Sequence, residues 1–355
     1  MKHNFGAGPG ILPHEVLKQA AEGVLDLNGI GLSILEISHR SAEFEAILNE
    51  AVSLVKELFN VPAGYSVLFL QGGASTQFAM VPYNLLPADG KAAYLDSGVW
   101  ASKAIKEAKY FGEPVVIATG KENNYRSIPT NYEIPTDAAY FHITSNNTIY
   151  GTQLQHFPKS PVPMICDMSS DIFSRVVNVA DFGLIYAGAQ KNMGPAGTTL
   201  VIVKDEILGK LDRKIPAMFN YQTQIEGGSM YNTPPCFAIY VSMLTLRWLK
   251  AKGGVAAIEK ENDAKAAALY AEIDRNPFFK GVCVPEDRSK MNVCFLTENP
   301  EHEKPFLKLC DERGIVGVKG HRSAGGFRAS IYNALPITSV YALIDAMQEF
   351  AEKNK

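Results

Sequence analysis

Several signatures that would narrow the chemistry at once are missing from this chain. There is no C-x-x-C pair: the five cysteines, Cys166, Cys236, Cys283, Cys294 and Cys310, are an odd and scattered set. That argues against a disulfide framework and against a zinc site, and no metal is expected; the thiols read as small buried hydrophobes. No apolar run approaches the ~20 residues needed to span a bilayer, and the first residues, Met1 to Gly6, carry no long apolar stretch of the secretory type. A soluble, cytoplasmic protein is the expectation. Positive charge is not in excess either: 34 Lys and Arg against 37 Asp and Glu leave a net charge of −3, with no basic stripe. Neither nucleic acid nor an anionic membrane is therefore an expected partner. No G-x-x-x-x-G-K-[ST] loop, internal repeat or low-complexity segment occurs.

What is present is ordinary globular material. The 355 residues, 46% hydrophobic and 20% charged, are enough for roughly two domains with a large core. The spacing of Phe44, Ile47, Leu48, Ala51, Leu54, Val55 and Leu58 predicts a helix, capped by Ser41 and closed by Asn60 and Pro62; another helix is predicted from about Pro13 to Val24. Short apolar runs follow: Tyr65 to Leu70, Ala92 to Leu95, Val115 to Ala118, Ala138 to Ile143 and Val162 to Cys166. Helical segments fall among them, one of which Pro82 should kink or end. Strands alternating with helices predict an α/β fold with a mostly parallel sheet. Beyond a boundary near residue 255 the pattern changes. A long helix rich in Ala, Glu and Lys, two further strands and two further helices predict a smaller α+β unit.

Against this frame a few residues stand out. The apolar run from Leu184 stops abruptly at Lys191, before Gly194-Pro195-Ala196-Gly197 and another apolar run. A lysine held at the edge of a core is partly desolvated, which lowers its pKa, and a neutral positioned amine is what Schiff-base chemistry requires; a lysine that snorkels from a strand end is the structural alternative. Asp167 closes the apolar run 162–166, at the strand end where ligands of open α/β sheets bind. A buried carboxylate there needs a cation or several donors, and a helix cap helped by Ser169 and Ser170 is the other reading. Gly72-Gly73-Ala74-Ser75-Thr76, between a strand and a helix, offers free N–H groups and hydroxyls for a phosphate, or serves only as a turn. Trp100 can stack on a flat ring or fill a core. Arg40, His321, Arg322 and Arg328, the last three beside glycine-rich turns, can clamp anions or simply solvate the surface. Gly6, Gly8, Pro9 and Gly10 read as turn chemistry, a plain entry loop or a loop near a site, and with no strand predicted before them they are too irregular for a dinucleotide fingerprint.

Longer motifs carry a resemblance. Glu36-Ile37-Ser38-His39-Arg40, Tyr186-Ala187-Gly188-Ala189-Gln190-Lys191-Asn192, Tyr231-Asn232-Thr233-Pro234-Pro235, and Lys319-Gly320-His321-Arg322 with Gly326-Phe327-Arg328-Ala329-Ser330-Ile331-Tyr332-Asn333-Ala334 resemble, in order, the phosphoserine aminotransferase family. The resemblance implies a fold-type-I enzyme dependent on pyridoxal 5′-phosphate (PLP), with a seven-stranded type of sheet in a large domain, 16–255, and a small domain formed by 1–15 and 256–355. It implies a homodimer with shared active sites. Carried onto this chain, Lys191 matches the Schiff-base lysine, Asp167 the partner of the pyridine nitrogen and Trp100 the ring-stacking residue. Ala74, Ser75, Thr148 and Gln190 match phosphate-side contacts, and Asn232 and Thr233 those made from the other subunit. Arg40, His321, Arg322 and Arg328 match the groups that bind the carboxylate and phosphate of substrates.

The activity so implied is amino transfer between L-glutamate and 3-phosphohydroxypyruvate, with a related activity on 4-phosphohydroxythreonine in vitamin B6 synthesis. Two departures are visible. Ala74-Ser75 stands where many relatives have glycine and arginine, and Tyr150 occupies a variable position with no assigned role. An aminotransferase for unphosphorylated 2-oxo acids would share Lys191 and Asp167 without needing the three basic residues near 320–328. A noncatalytic PLP-binding module is the reading from a different class.

Overall fold

The computed structural model describes residues 2–354. Strands β1 (His3–Asn4), β2 (Tyr65–Leu70), β3 (Lys91–Asp96), β4 (Glu113–Thr119), β5 (Phe141–Thr144), β6 (Met164–Asp167), β7 (Leu184–Gly188) and β8 (Thr199–Lys204) come first. They are followed by β9 (Phe279–Gly281), β10 (Asn292–Thr297), β11 (Ile315–Val316) and β12 (Phe327–Ser330). The α-helices are α1 (His14–Leu25), α2 (Ala42–Leu58), α3 (Gly73–Leu85), α4 (Val99–Ala108), α5 (Tyr221–Glu226), α6 (Cys236–Ala251), α7 (Gly254–Arg275), α8 (Glu303–Glu312) and α9 (Ile337–Lys353).

Seven strands form one sheet in the order β2-β8-β7-β6-β5-β3-β4. Only β8 runs antiparallel to its neighbours, so the expected mostly parallel sheet is present. Because side chains alternate along a strand, each central strand feeds two cores. Ile185 and Ala187 of β7, with Leu200 and Ile202 of β8, join the core that includes residues of α1, α2 and α6. Leu184, Tyr186, Val201 and Val203 join the core on the opposite face, with residues of α3 and α4. Burial on both faces is why these strands read as continuous apolar runs rather than as alternating ones.

Local signals behave as the sequence predicts in most places. Ser41 Oγ accepts from the Phe44 N–H and starts α2. One proline expectation shifts: helix α3 continues past Pro82 to Leu85. Pro234 and Pro235 directly precede α6. The carboxyl-terminal segment builds a three-stranded sheet, β12-β10-β9, and a third core in which Phe279, Phe295, Phe306, Phe327 and Phe350 meet. Strand β1 pairs with β11, and Phe5 packs into that same third core.

Candidate active site

Parallel strands deliver their carboxyl ends to one edge of the sheet, and the candidate residues collect there. Asp167 ends β6, Thr144 ends β5, and Lys191 lies three residues past β7. Thr148 lies on the segment after β5. Together with Ala74 and Ser75 of α3, Trp100 of α4 and Gln190, they line one cavity of about 280 Å³. Seven of the predicted residues thus share a single space.

The geometry around the lysine is specific. Lys191 Nζ donates to Thr148 Oγ1 at 2.9 Å and stands 5.6 Å from the centre of the Trp100 ring. Its side chain opens on the cavity rather than on bulk water, so it is reachable and still desolvated. Burial, with a smaller push from the positive charge of Arg328 and against the pull of Asp167, brings its pKa down to about 8. The ordinary value is 10.5. Near neutral pH a minor but appreciable fraction is then neutral, far more than for an ordinary lysine, and with it a usable nucleophile.

Asp167 is the complementary case. Burial raises its pKa; the hydrogen bond from Ser169 and the charge of Lys191 act the other way. Oδ1 accepts from the Ser169 N–H at 2.9 Å, while Oδ2 has no hydrogen bond to any other described residue. A buried carboxylate with a free oxygen facing a cavity calls for a cationic donor. Ser169 has a second task, since its Oγ accepts from the Gly188 N–H and so ties the end of β7 to the turn after β6.

The opposite wall is the start of α3. Gly72 precedes it with φ +88, and a Cβ there would lie 1.9 Å from Thr76 Oγ1, so only glycine makes this turn. The first N–H groups of the 13-residue helix have no intrahelical acceptors, and they carry the positive end of its dipole. Ala74 and Ser75 occupy that end. The residues therefore fit a flat, anionic, cationic-nitrogen cofactor: an amine for a carbonyl, a carboxylate for a ring nitrogen, an indole for a ring face and a helix terminus for a phosphate. Two buried donors lining the same cavity, Trp100 Nε1 and Thr144 Oγ1, lack partners among the described residues.

The predicted anion-binding residues are placed less uniformly. Arg328, on β12, donates from Nη1 to the Thr148 carbonyl at 3.1 Å, which brings it beside Lys191. His321 and Arg322 lie on the turn just before β12; His321 bonds Ser323, and Arg322 is exposed. Nearby Arg328, Arg322 and Lys103 reinforce burial in lowering the His321 pKa, so a concentrated positive field exists there. Asn232 lines a neighbouring cavity, of about 320 Å³, with Gly72 and Thr76, and the Thr233 carbonyl accepts from Gln71. Arg40 is exposed, just before α2, and none of these last three lines the cavity of Lys191.

Several residues near the lysine were not singled out from the sequence. Thr144 and Asn146 obey the same strand-end rule that selected Asp167. The glycine loop at the amino terminus, read from sequence as a loop, packs directly on the lysine segment. The Gly10 N–H donates to the Gln190 carbonyl at 2.6 Å, and a Cβ on Gly8 would come within 3.7 Å of Lys191 Cγ. Its signal was the glycine density itself, which marks close backbone approach.

Comparison with known proteins agrees with this geometry. The Aminotransferase class-V family model matches residues 3–343. A phosphoserine aminotransferase of Flavobacterium johnsoniae is 63% identical, over 99% of each chain, and one of Bacteroides fragilis is 59% identical, over 98% of each. Among solved structures, the phosphoserine aminotransferase from Bacillus circulans subsp. alkalophilus superposes with a TM-score of 0.97 at 45% identity, covering 100% of this chain and 99% of that one. A PLP-bound phosphoserine aminotransferase from Trichomonas vaginalis gives 0.93 at 36% identity, covering 98% of this chain and all of the other. With the family pattern spanning nearly the whole chain and relatives this similar from end to end, the chain belongs to the class-V aminotransferases and, among them, to the phosphoserine aminotransferases.

Proposed function

We propose that the protein moves an amino group between L-glutamate and 3-phosphohydroxypyruvate, yielding 2-oxoglutarate and O-phospho-L-serine, with PLP as cofactor. The observation that carries this is the pairing, across one cavity, of the desolvated Lys191 amine and the buried, half-satisfied Asp167 carboxylate. Family membership supplies the substrates.

When bound, PLP supplies a carbonyl for amine exchange and an electron-withdrawing ring. Lys191 would hold that carbonyl, and its Nζ, when free, would take the proton from the substrate α-carbon as a base and later return a proton as an acid. Asp167, with its free Oδ2, would keep the ring nitrogen protonated. Trp100 covers one ring face, Thr148 holds Lys191 Nζ in reach, and Ala74, Ser75 and Gln190 serve the phosphate side, where hydroxyl and N–H donors do without an arginine. Arg328, His321 and Arg322 bind the substrate anions.

Asn232 and Thr233 are assigned to the neighbouring subunit's site in a homodimer, a reading supported by their positions outside the cavity of Lys191 in their own chain, and Arg40 joins the set that binds the substrate anions. A division into 16–255 and 1–15 with 256–355 is supported by the separate third core and by the β1–β11 pairing. Among the described residues no helix is long and apolar enough to cross a membrane, in keeping with a cytoplasmic location. Action on 4-phosphohydroxythreonine follows from the same anion-binding set.

The test compares 3-phosphohydroxypyruvate with hydroxypyruvate, using glutamate as donor. Loss of the phosphate forfeits one or more charge-assisted bonds of roughly 1.5–3 kcal/mol each, so kcat/KM should drop tenfold or more on that scale. Equal turnover would sink the phosphate assignment and favour an enzyme for unphosphorylated acids. Initial-rate lines should be parallel, as in ping-pong kinetics.

A further inference from the structure

Helix α7 reads in sequence as a polar, Ala-, Glu- and Lys-rich helix, yet one of its lysines is in the interior. Lys265 is 1% exposed. Its Nζ donates to three backbone carbonyls, Ile331 at 3.0 Å, Tyr332 at 2.7 Å and Leu335 at 3.2 Å. An ammonium has three N–H donors, and here each has one acceptor. No carboxylate pairs with it, and burial brings its pKa down to about 7. Such a group is costly to keep, and an apolar side chain of the same length would fill the space without that cost.

The three carbonyls belong to the turn that follows β12, the strand of Arg328. That turn reaches the lysine segment on the other side. The Asn333 N–H donates to Asn192 Oδ1 at 2.9 Å, and Asn333 Nδ2 donates to the Phe173 carbonyl at 2.9 Å. Asn192 Nδ2 in turn donates to the Ile172 carbonyl at 2.7 Å. Asn262, one helical turn before Lys265, supports the same residue: its Nδ2 donates to Asn333 Oδ1 at 2.8 Å and to the Ser174 carbonyl at 3.0 Å. Tyr332 donates its hydroxyl to the Ala7 carbonyl at 2.7 Å, and the Gly10 N–H is bonded to the Gln190 carbonyl. Gln190, Lys191 and Asn192 are thus gripped from both flanks by elements that converge on the 331–335 turn.

We propose that Lys265 is a positioning residue for the transamination: by holding the 331–335 turn, it fixes through the Asn333–Asn192 bond where the Lys191 backbone stands relative to Arg328. This rests on Lys191 being the residue that carries the cofactor. It gives the buried lysine a task that a methionine would not perform. Replacing it removes a donor from each of the three carbonyls; that of Tyr332 keeps the Leu335 N–H, while those of Ile331 and Leu335 lose their side-chain donor, so the turn shifts to find donors and Asn192 shifts with it.

The test uses Lys265→Met, Asn192→Ala and the double variant as cofactor-loaded full chains. Each single variant should lower kcat about tenfold or more, since a displacement near 1 Å can cost a hundredfold, with KM for O-phosphoserine changed far less. Each should also move the pH midpoint of the bound cofactor's absorbance. In the cofactor-free protein, hydrogen exchange at 190–193 should quicken along with 331–335. The double variant should be no slower than the slower single one, because both changes break one chain of contacts. If Lys265→Met does not fold, Asn262→Ala, which removes the second support of Asn333 and leaves the lysine–carbonyl bonds, takes its place with the same expectations. A folded variant that has a lower Tm but a wild-type kcat and absorbance midpoint would overturn the proposal, as would effects that multiply in the double variant. Activity surviving in Lys191→Ala would instead overturn the assignment of Lys191, which this comparison keeps separate.

Discussion

The two sides of this site are built differently. Lys191, Asp167 and Thr148 sit at or just past strand ends, are buried or face an enclosed cavity, and are held by bonds from neighbouring strands and turns. Arg40 and Arg322 are exposed and His321 is partly so, on loops, and only Arg328 among the anion-binding set is anchored to the wall of Lys191. A rigid sheet edge suits groups that must hold one cofactor in one pose. Exposed cations on loops suit a site that, in the proposed reaction, takes in turn two substrates that each present two anionic groups.

That contrast predicts a ranking of effects. Lys191→Ala should have the largest, removing both the proposed covalent anchor and the proposed base, with transamination reduced by about 10²–10⁴-fold; the measurement is single-turnover conversion of glutamate with cofactor present. Asp167→Asn keeps the shape and loses the charge, and kcat should drop on the order of 10²-fold, with less change in KM. If instead Asp167→Asn altered only KM, the sheet-edge side would be a binding surface like the loops. Arg328→Ala should raise KM roughly tenfold or more, in line with one charge-assisted bond, with kcat less affected.

Arg40→Ala and Arg322→Ala should act more weakly, by a few-fold, and their effects should shrink as salt is added, because exposed charges are screened. Salt-insensitive losses as large as that of Arg328 would show that these loops are buried in the working enzyme and would erase the distinction.

The smallest effect concerns stability. In the cofactor-free protein the folded state holds the Lys191 proton less tightly than the unfolded chain, whose lysines titrate near the ordinary 10.5. Between about 8 and 10.5 the unfolded state therefore binds more protons at this lysine, so its contribution to stability rises with pH across that window and is constant below it, on top of the like contribution of Lys265, which begins at about 7. The contribution should be on the order of 2–4 °C or more in Tm, and Lys191→Met should lack it. A slope of the same size in both proteins would mean that the lysine is not desolvated.

Much of the fold was legible because it is written in short-range terms. Two-sided burial makes the runs 67–70, 162–166 and 184–189 apolar throughout, and Ser41, Gly72 and Asn60 punctuate the chain around them. Asp167 and Lys191 were legible for the same reason: each is the first ionisable residue after such a run, and strand ends are where parallel sheets bind ligands. Thr144 and Asn146 carried the same signal in weaker residue types. Lys265 carried none, since a lysine on an Ala- and Glu-rich helix has the pattern of a solvated one. Its three acceptors come from residues 331–335, and backbone carbonyls leave no trace in side-chain sequence.

By itself the sequence determined which segments are the strands of the large sheet, though not β1, β9 and β12, that this sheet is mostly parallel, and that an amine and a carboxylate end two of its runs, because periodicity, burial and turn chemistry act over a few neighbouring residues. Only the tertiary structure decided that these two groups share a cavity with the start of α3. It also decided that the amino-terminal glycine loop lies against Lys191 and that a buried lysine on α7 ties the segment after Arg328 to Asn192. Those are contacts between residues tens to hundreds of positions apart, and they exist only once the chain has closed on itself.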